Sequence, residues 1–138
     1  MKTTTLFTAG VFILLSGSIM KTEKGPAQSL YDTKWTLKKT HDSTGVTEVY
    51  TKAFIKFNEA KKSAGGNGSC NNFGSSIELK GHTIHFSDIF STKMYCEGVQ
   101  DIEDIFFRQL AKVNRFAISG KTLRLYQGEE LLLEFAAE

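Results

Sequence analysis

From Trp35 to the C-terminus, runs with apolar residues at every second position dominate this 138-residue chain, and one segment breaks the rule. A period of two puts alternate side chains on opposite faces of a strand, so each such run can bury only one face. Trp35 and Leu37 open the pattern, and His41–Gly45 reads as a turn. Val49, Thr51, Ala53, Ile55 and Phe57 alternate with Tyr50, Lys52, Phe54 and Lys56, which predicts one long half-buried strand. Ile77 and Leu79 alternate with charged neighbours up to Gly81, and Ile84 and Phe86 follow as a further strand. Phe116 and Ile118, Leu123 and Leu125, then Leu131, Leu133 and Phe135 make three short strands. Ser119-Gly120 and Gln127-Gly128 separate them, as in a meander.

The interruption runs from Gln100 to Val113. Here Ile102, Ile105, Phe106, Leu110 and Val113 recur at helical spacing. Asp101, Glu103 and Asp104 occupy the first turn and Lys112 lies near the end, as the helix dipole favours. The three carboxylates read as a solvated helix start. The chain is therefore expected to be mainly β with one α-helix (α+β). Six to eight strands would form a small curled antiparallel sheet, barrel-like, that closes over the helix stripe. With 41% hydrophobic residues and a single proline, the composition suits an ordered domain with one core.

The N-terminus reads differently. Met1-Lys2 precedes an apolar run from Leu6 to Leu15 and the small residues Ser16-Gly17-Ser18. Ten residues are too few for the ~20 of a membrane-spanning helix, but they suit a secretory signal. Residues 1–18 are expected to be that signal, with cleavage after Ser18 or near Ala27. Residues 19–29, which hold the proline, are expected to be a linker. Leu15–Ser18 resembles a lipoprotein processing site in all but its last position, where Ser18 stands in place of the cysteine that would be lipidated. The expected location is across the inner membrane, in the periplasm or cell envelope, with no transmembrane helix in the mature chain. Removing residues 1–27 takes Lys2, Lys21, Lys24 and Glu23 from totals of 17 basic and 15 acidic residues, which leaves 14 of each. The basic balance of the whole chain is therefore no sign of a nucleic-acid partner, which would need a retained basic face, and none is expected.

Two cysteines in an exported chain point to one disulfide, Cys70–Cys96. Cys70 lies in Gly65-Gly-Asn-Gly-Ser-Cys-Asn-Asn-Phe-Gly74, a stretch that invites comparison with a phosphate-binding loop. Its glycines precede a strand pattern rather than a helix, and no G-K-[ST] follows, so a loop needing positive φ at its glycines is the better reading. His82 and His85 would point to opposite faces of a strand and His41 is remote, so no metal set is expected. No serine or cysteine has the partners of a nucleophile, and no catalytic residue and no cofactor are expected. Tyr50 and Phe54, on the outward face of the long strand, form a candidate binding patch.

Three blocks in order resemble the META domain family of small exported, HslJ-like bacterial proteins. They are Trp35-Thr-Leu37; Gly68-Ser-Cys-Asn-Asn-Phe-Gly74; and Ser91-Thr-Lys-Met-Tyr-Cys96, which is followed by the helix and the turn Gly120-Lys-Thr-Leu-Arg-Leu125. The resemblance covers residues 30–138, and Ser69 is an insertion before Cys70 relative to the family pattern. It implies the β-rich fold already argued and an envelope location, and it brings no catalytic residues. Trp35, Gly68, Asn71, Asn72, Phe73, Gly74, Thr92 and Met94 carry over as structural positions, namely loop caps and core filling beside the disulfide. The expected function is that of a non-enzymatic, stress-associated envelope protein, working as a monomer on an envelope protein or a small apolar ligand. A lipid- or small-molecule-binding barrel, or an inhibitor-type binding module, is the alternative.

Overall fold

The computed structural model of the protein describes residues 26–138; the expected signal and the start of the expected linker lie outside the described residues. Nine strands and one helix follow in order: β1 (Trp35–Asp42), β2 (Gly45–Glu48), β3 (Phe54–Asn58), β4 (Ser63–Asn67), β5 (Asn72–Lys80), β6 (Thr83–Ser91), α1 (Gln100–Leu110), β7 (Arg115–Ser119), β8 (Thr122–Gln127) and β9 (Glu130–Ala137). All strand pairs are antiparallel in one sheet, and β1 also pairs with β9, so the sheet curls into a ring. β2 stands outside the ring and shares one edge of β1 with β3. The joint between β6 and β7 is the slightest. Its register is a single pair, Thr83 with Arg115, flanked by bonds from Ile84 N to Asn114 O and from Phe116 N to His82 O.

Side chains fill the ring. Trp35, Leu37, Ile55, Ile84, Leu123, Leu125 and Leu133 point inward and are fully buried, and Phe106 and Leu110 of α1 join them. Phe106 meets Phe135 and Phe73 edge-on, at 5.8 and 5.4 Å between centroids, so the apolar stripe of α1 seals the core. Burying each such side chain contributes roughly 1.5–3 kcal/mol. A groove of about 710 Å³ runs past Asp32, Lys56, Phe57 and Gly65. The chain is anchored two residues ahead of the expected start at Leu30: Gln28 N–H donates to Gly120 O at 3.0 Å, and Trp35 Nε1 donates to Leu30 O.

Three expectations need correction. The strand read over Val49–Phe57 starts only at Phe54. Val49 N–H donates to Lys38 O and Leu37 N–H to Ala53 O, so residues 49–53 arch across β1. Thr51 Oγ1 accepts the Ala53 N–H, a local bond that competes with strand pairing. The helix ends at Leu110, before the expected Val113. The glycine-rich stretch is largely strand: β4 takes Gly65 and Gly66, β5 takes Gly74, and the turn between them spans only residues 68–71. Its positive φ falls on Ser69 (123°), not on a glycine. Gly66 serves close approach instead, since a Cβ there would lie 2.1 Å from Phe54 O of the paired strand.

Candidate functional site

The turn 68–71, the segment 91–96 and the start of α1 meet at one end of the ring. The Cys70–Cys96 disulfide joins the first two, with Cα atoms 5.7 Å apart. Closing a loop of this length is worth roughly 3–4 kcal/mol in the chain-entropy account. Beneath it lies a buried polar network centred on Glu103, which is only 1% exposed. Its Oε2 accepts the backbone N–H groups of Cys70 (2.9 Å) and Asn71 (2.6 Å), and its Oε1 accepts Asn71 Nδ2. The helix thus delivers a carboxylate to the two amides of a turn that has no strand partner to satisfy them.

Asn71 completes the connection. Its second Nδ2 hydrogen goes to Met94 O at 2.9 Å, and its Oδ1 accepts both Met94 N–H and Thr92 Oγ1 at 2.8 Å. All four hydrogen-bonding positions of the amide are used. No isostere repeats this: aspartate lacks the donors, and leucine lacks everything. Gly68 is required by the same packing, because a Cβ there would sit 2.5 Å from the Phe107 ring and 2.8 Å from Glu103 Cγ. Around the turn, Ser69 N–H donates to Asn67 Oδ1, and the Ser69 hydroxyl bonds Thr51 Oγ1 at 2.8 Å, tying the turn to the 49–53 arch.

The family-block residues therefore divide. Gly68, Cys70, Asn71, Thr92, Met94 and Cys96 converge here, and Phe73 packs beside them on Phe106 and Phe107. Asn72 is exposed at the rim and accepts a bond from Asn67 Nδ2. Gly74 lies beneath the Phe90 ring. Trp35 belongs to the core and takes no part in this site. Met94 does not fill the core: its backbone is held by Asn71, while its side chain is 60% exposed. Tyr50 and Phe54, the candidate binding patch, differ in exposure. Tyr50 stands 90% exposed on the arch, whereas Phe54 is half-buried under Lys34 Nζ, 5.0 Å from its ring centroid.

Glu103 itself was read as part of a solvated helix start, and the structure reverses that. The signal was present in the spacing. Glu103 lies three residues before Phe106 and seven before Leu110, on the apolar stripe, where a carboxylate needs a partner. What the network holds in place is exposed. Met94 and Tyr95 in the held segment are 60 and 78% exposed, and Phe90, placed just before it by β6 through its pairing with Gly74, is 70% exposed. A groove of about 430 Å³ runs between that segment and α1, past Met94, Tyr95, Gln100, Asp104 and Phe107. Among the described residues, no three His, Cys, Asp or Glu side chains are grouped as a metal set would be, and no helix is long and apolar enough to cross a membrane.

The model of the META domain family matches residues 28–138. No curated protein matches the sequence. Two solved structures share the fold. One, an NMR structure of a protein from Burkholderia xenovorans, is 21% identical with a TM-score of 0.66, covering 79% of this chain and 83% of that one. The other, also an NMR structure, is 18% identical with a TM-score of 0.55, covering 75% and 88%.

Proposed function

This chain belongs to the META domain family, and from that premise we propose that it is a non-enzymatic binding domain of the bacterial cell envelope, exported by its N-terminal signal and associated with stress tolerance. Its contact surface is the segment Phe90–Cys96. One observation carries the reading: a disulfide and a buried, fully hydrogen-bonded Glu103–Asn71 network fix a segment whose large apolar side chains face solvent. Exposed Met94 and Tyr95 in a braced loop, next to Phe90 at the end of β6, suit a partner surface, because the ordering cost of binding has been met in the free protein. Glu103 has its oxygens occupied by N–H donors, so its role is to hold the turn rather than to exchange protons with a substrate.

The test is capture from envelope extract with the mature protein and with a Phe90→Ser, Met94→Ser, Tyr95→Ser variant. The expected result is a set of partners lost with the variant while its circular dichroism and melting temperature stay unchanged. Equal capture by both proteins would refute the surface. A hydrolase screen giving turnover that disappears on changing one polar residue would refute the non-enzymatic reading.

A further inference from the structure

The charge around this surface narrows what it takes. Asp104 and Lys93 line the groove with Met94 and Tyr95, Glu97 and Asp101 are exposed in the chain that joins that segment to the start of α1, and Lys93 Nζ bonds Ser91 Oγ. Among the described residues none of these four charges makes an ion pair; Asp104 accepts only from Gln100 Nε2, at 3.0 Å. The helix start accounts for carboxylates in its first turn. It does not account for two large apolar side chains exposed alongside them, in a domain that carries 14 basic and 14 acidic residues beyond position 27. A surface that is locally acidic and apolar on a neutral domain complements a segment that is basic and apolar.

We infer that the groove between the 91–96 segment and α1 docks a cationic amphipathic segment of a partner polypeptide, with Met94 and Tyr95 taking its apolar side chains and Glu97, Asp101 and Asp104 its Lys or Arg groups. The inference rests on the proposed contact surface above. A membrane is the poorer occupant, because exposed carboxylates at the edge of the apolar side chains repel anionic headgroups. A second copy of the chain is poorer too, since three exposed carboxylates against one lysine in and around the groove would face their own kind in a symmetric pair.

The test uses the oxidised mature protein and two short soluble peptides, one of lysine, leucine and serine, the other with glutamate for each lysine. Titration calorimetry at low salt should show binding of the lysine peptide alone. An Asp101→Lys, Asp104→Lys variant should weaken it about tenfold at low salt, with a smaller loss at high salt as the charges are screened. The Met94→Ser, Tyr95→Ser variant should weaken it as much or more at both salts. Equal binding of the two peptides, binding of neither, an unchanged affinity in the charge variant, adsorption to anionic vesicles, or concentration-dependent dimerisation would each overturn the inference. If the apolar variant loses envelope capture while the charge variant keeps it, the contact surface stands and the cationic partner falls. If the apolar variant loses nothing, the surface falls with it.

Discussion

Two glutamates hold two parts of this ring, and they do it in opposite ways. Glu103 is buried and accepts only N–H groups of neutral amides. Glu134 lies near the surface on β9, where its carboxylate meets His41 Nε2 of β1 at 2.9 Å and Arg124 Nε of β8 at 3.1 Å. The second combines an ion pair to Arg124 with a hydrogen bond to His41, across three strands that backbone pairing already joins. The first is the link between a helix and a turn that share no ladder. Burial raises the stakes of the first, because an unmatched donor there cannot turn to water. The cluster at Glu134 keeps solvent as a substitute partner.

The largest effect should come from Glu103→Gln. Its amide offers one oxygen, so a buried NH2 must face either two backbone N–H groups or Asn71 Nδ2. The expected loss is about 3–5 kcal/mol, read by urea unfolding of the oxidised protein, since each buried donor left facing another donor costs about 1–3 kcal/mol. A loss under about 1 kcal/mol would equate the two glutamates and break the comparison. Next in size, Cys70→Ser with Cys96→Ser should cost roughly 3–4 kcal/mol by the loop-entropy account. Because Asn71 still holds Thr92 and Met94, that variant should remain folded and cooperative.

Glu134→Gln should cost only about 1 kcal/mol at neutral pH. Burial pushes the Glu134 carboxyl up, but the hydrogen bonds from His41 and Arg124 outweigh it and hold the group below its ordinary value of 4.5. A depressed carboxyl pKa stabilises the fold above its unfolded value, and that contribution is lost as pH falls through the folded one. The gap between wild type and Glu134→Gln should thus be full above about pH 4.5 and close below it. A gap that widens with acidification would refute the assignment. Smallest of all, Phe90→Ser, Met94→Ser and Tyr95→Ser should each move stability by less than about 0.5 kcal/mol, as fits side chains that project into solvent.

The same contrast explains what was legible in the sequence. The strands of the C-terminal meander, the helix and its apolar stripe follow from periodicity, because one-sided burial writes itself as a repeat. The 49–53 arch was hidden because Thr51 and Ala53 keep the alternation while a hydroxyl bond bends the chain. The glycine-rich stretch misled for a similar reason: its glycines suggested a loop that needs positive φ, whereas Gly66 and Gly68 serve strand and helix approach and Ser69 takes the positive φ. The disulfide could be read from the expected export and the count of two cysteines. The Glu103–Asn71 network could not, since it joins positions 32 apart through polar groups that have no period. Only a carboxylate placed on an apolar stripe pointed to it.

Native-state hydrogen exchange at the Cys70 and Asn71 amides tests the central claim most directly, in wild type and in Glu103→Gln. If Glu103 locks the turn, both amides in wild type should exchange slowly, close to the rate of global unfolding, and in Glu103→Gln they should exchange faster than the β8–β9 amides of the same molecule. Rapid exchange of both amides in wild type, or protection unchanged by the substitution, would contradict the account.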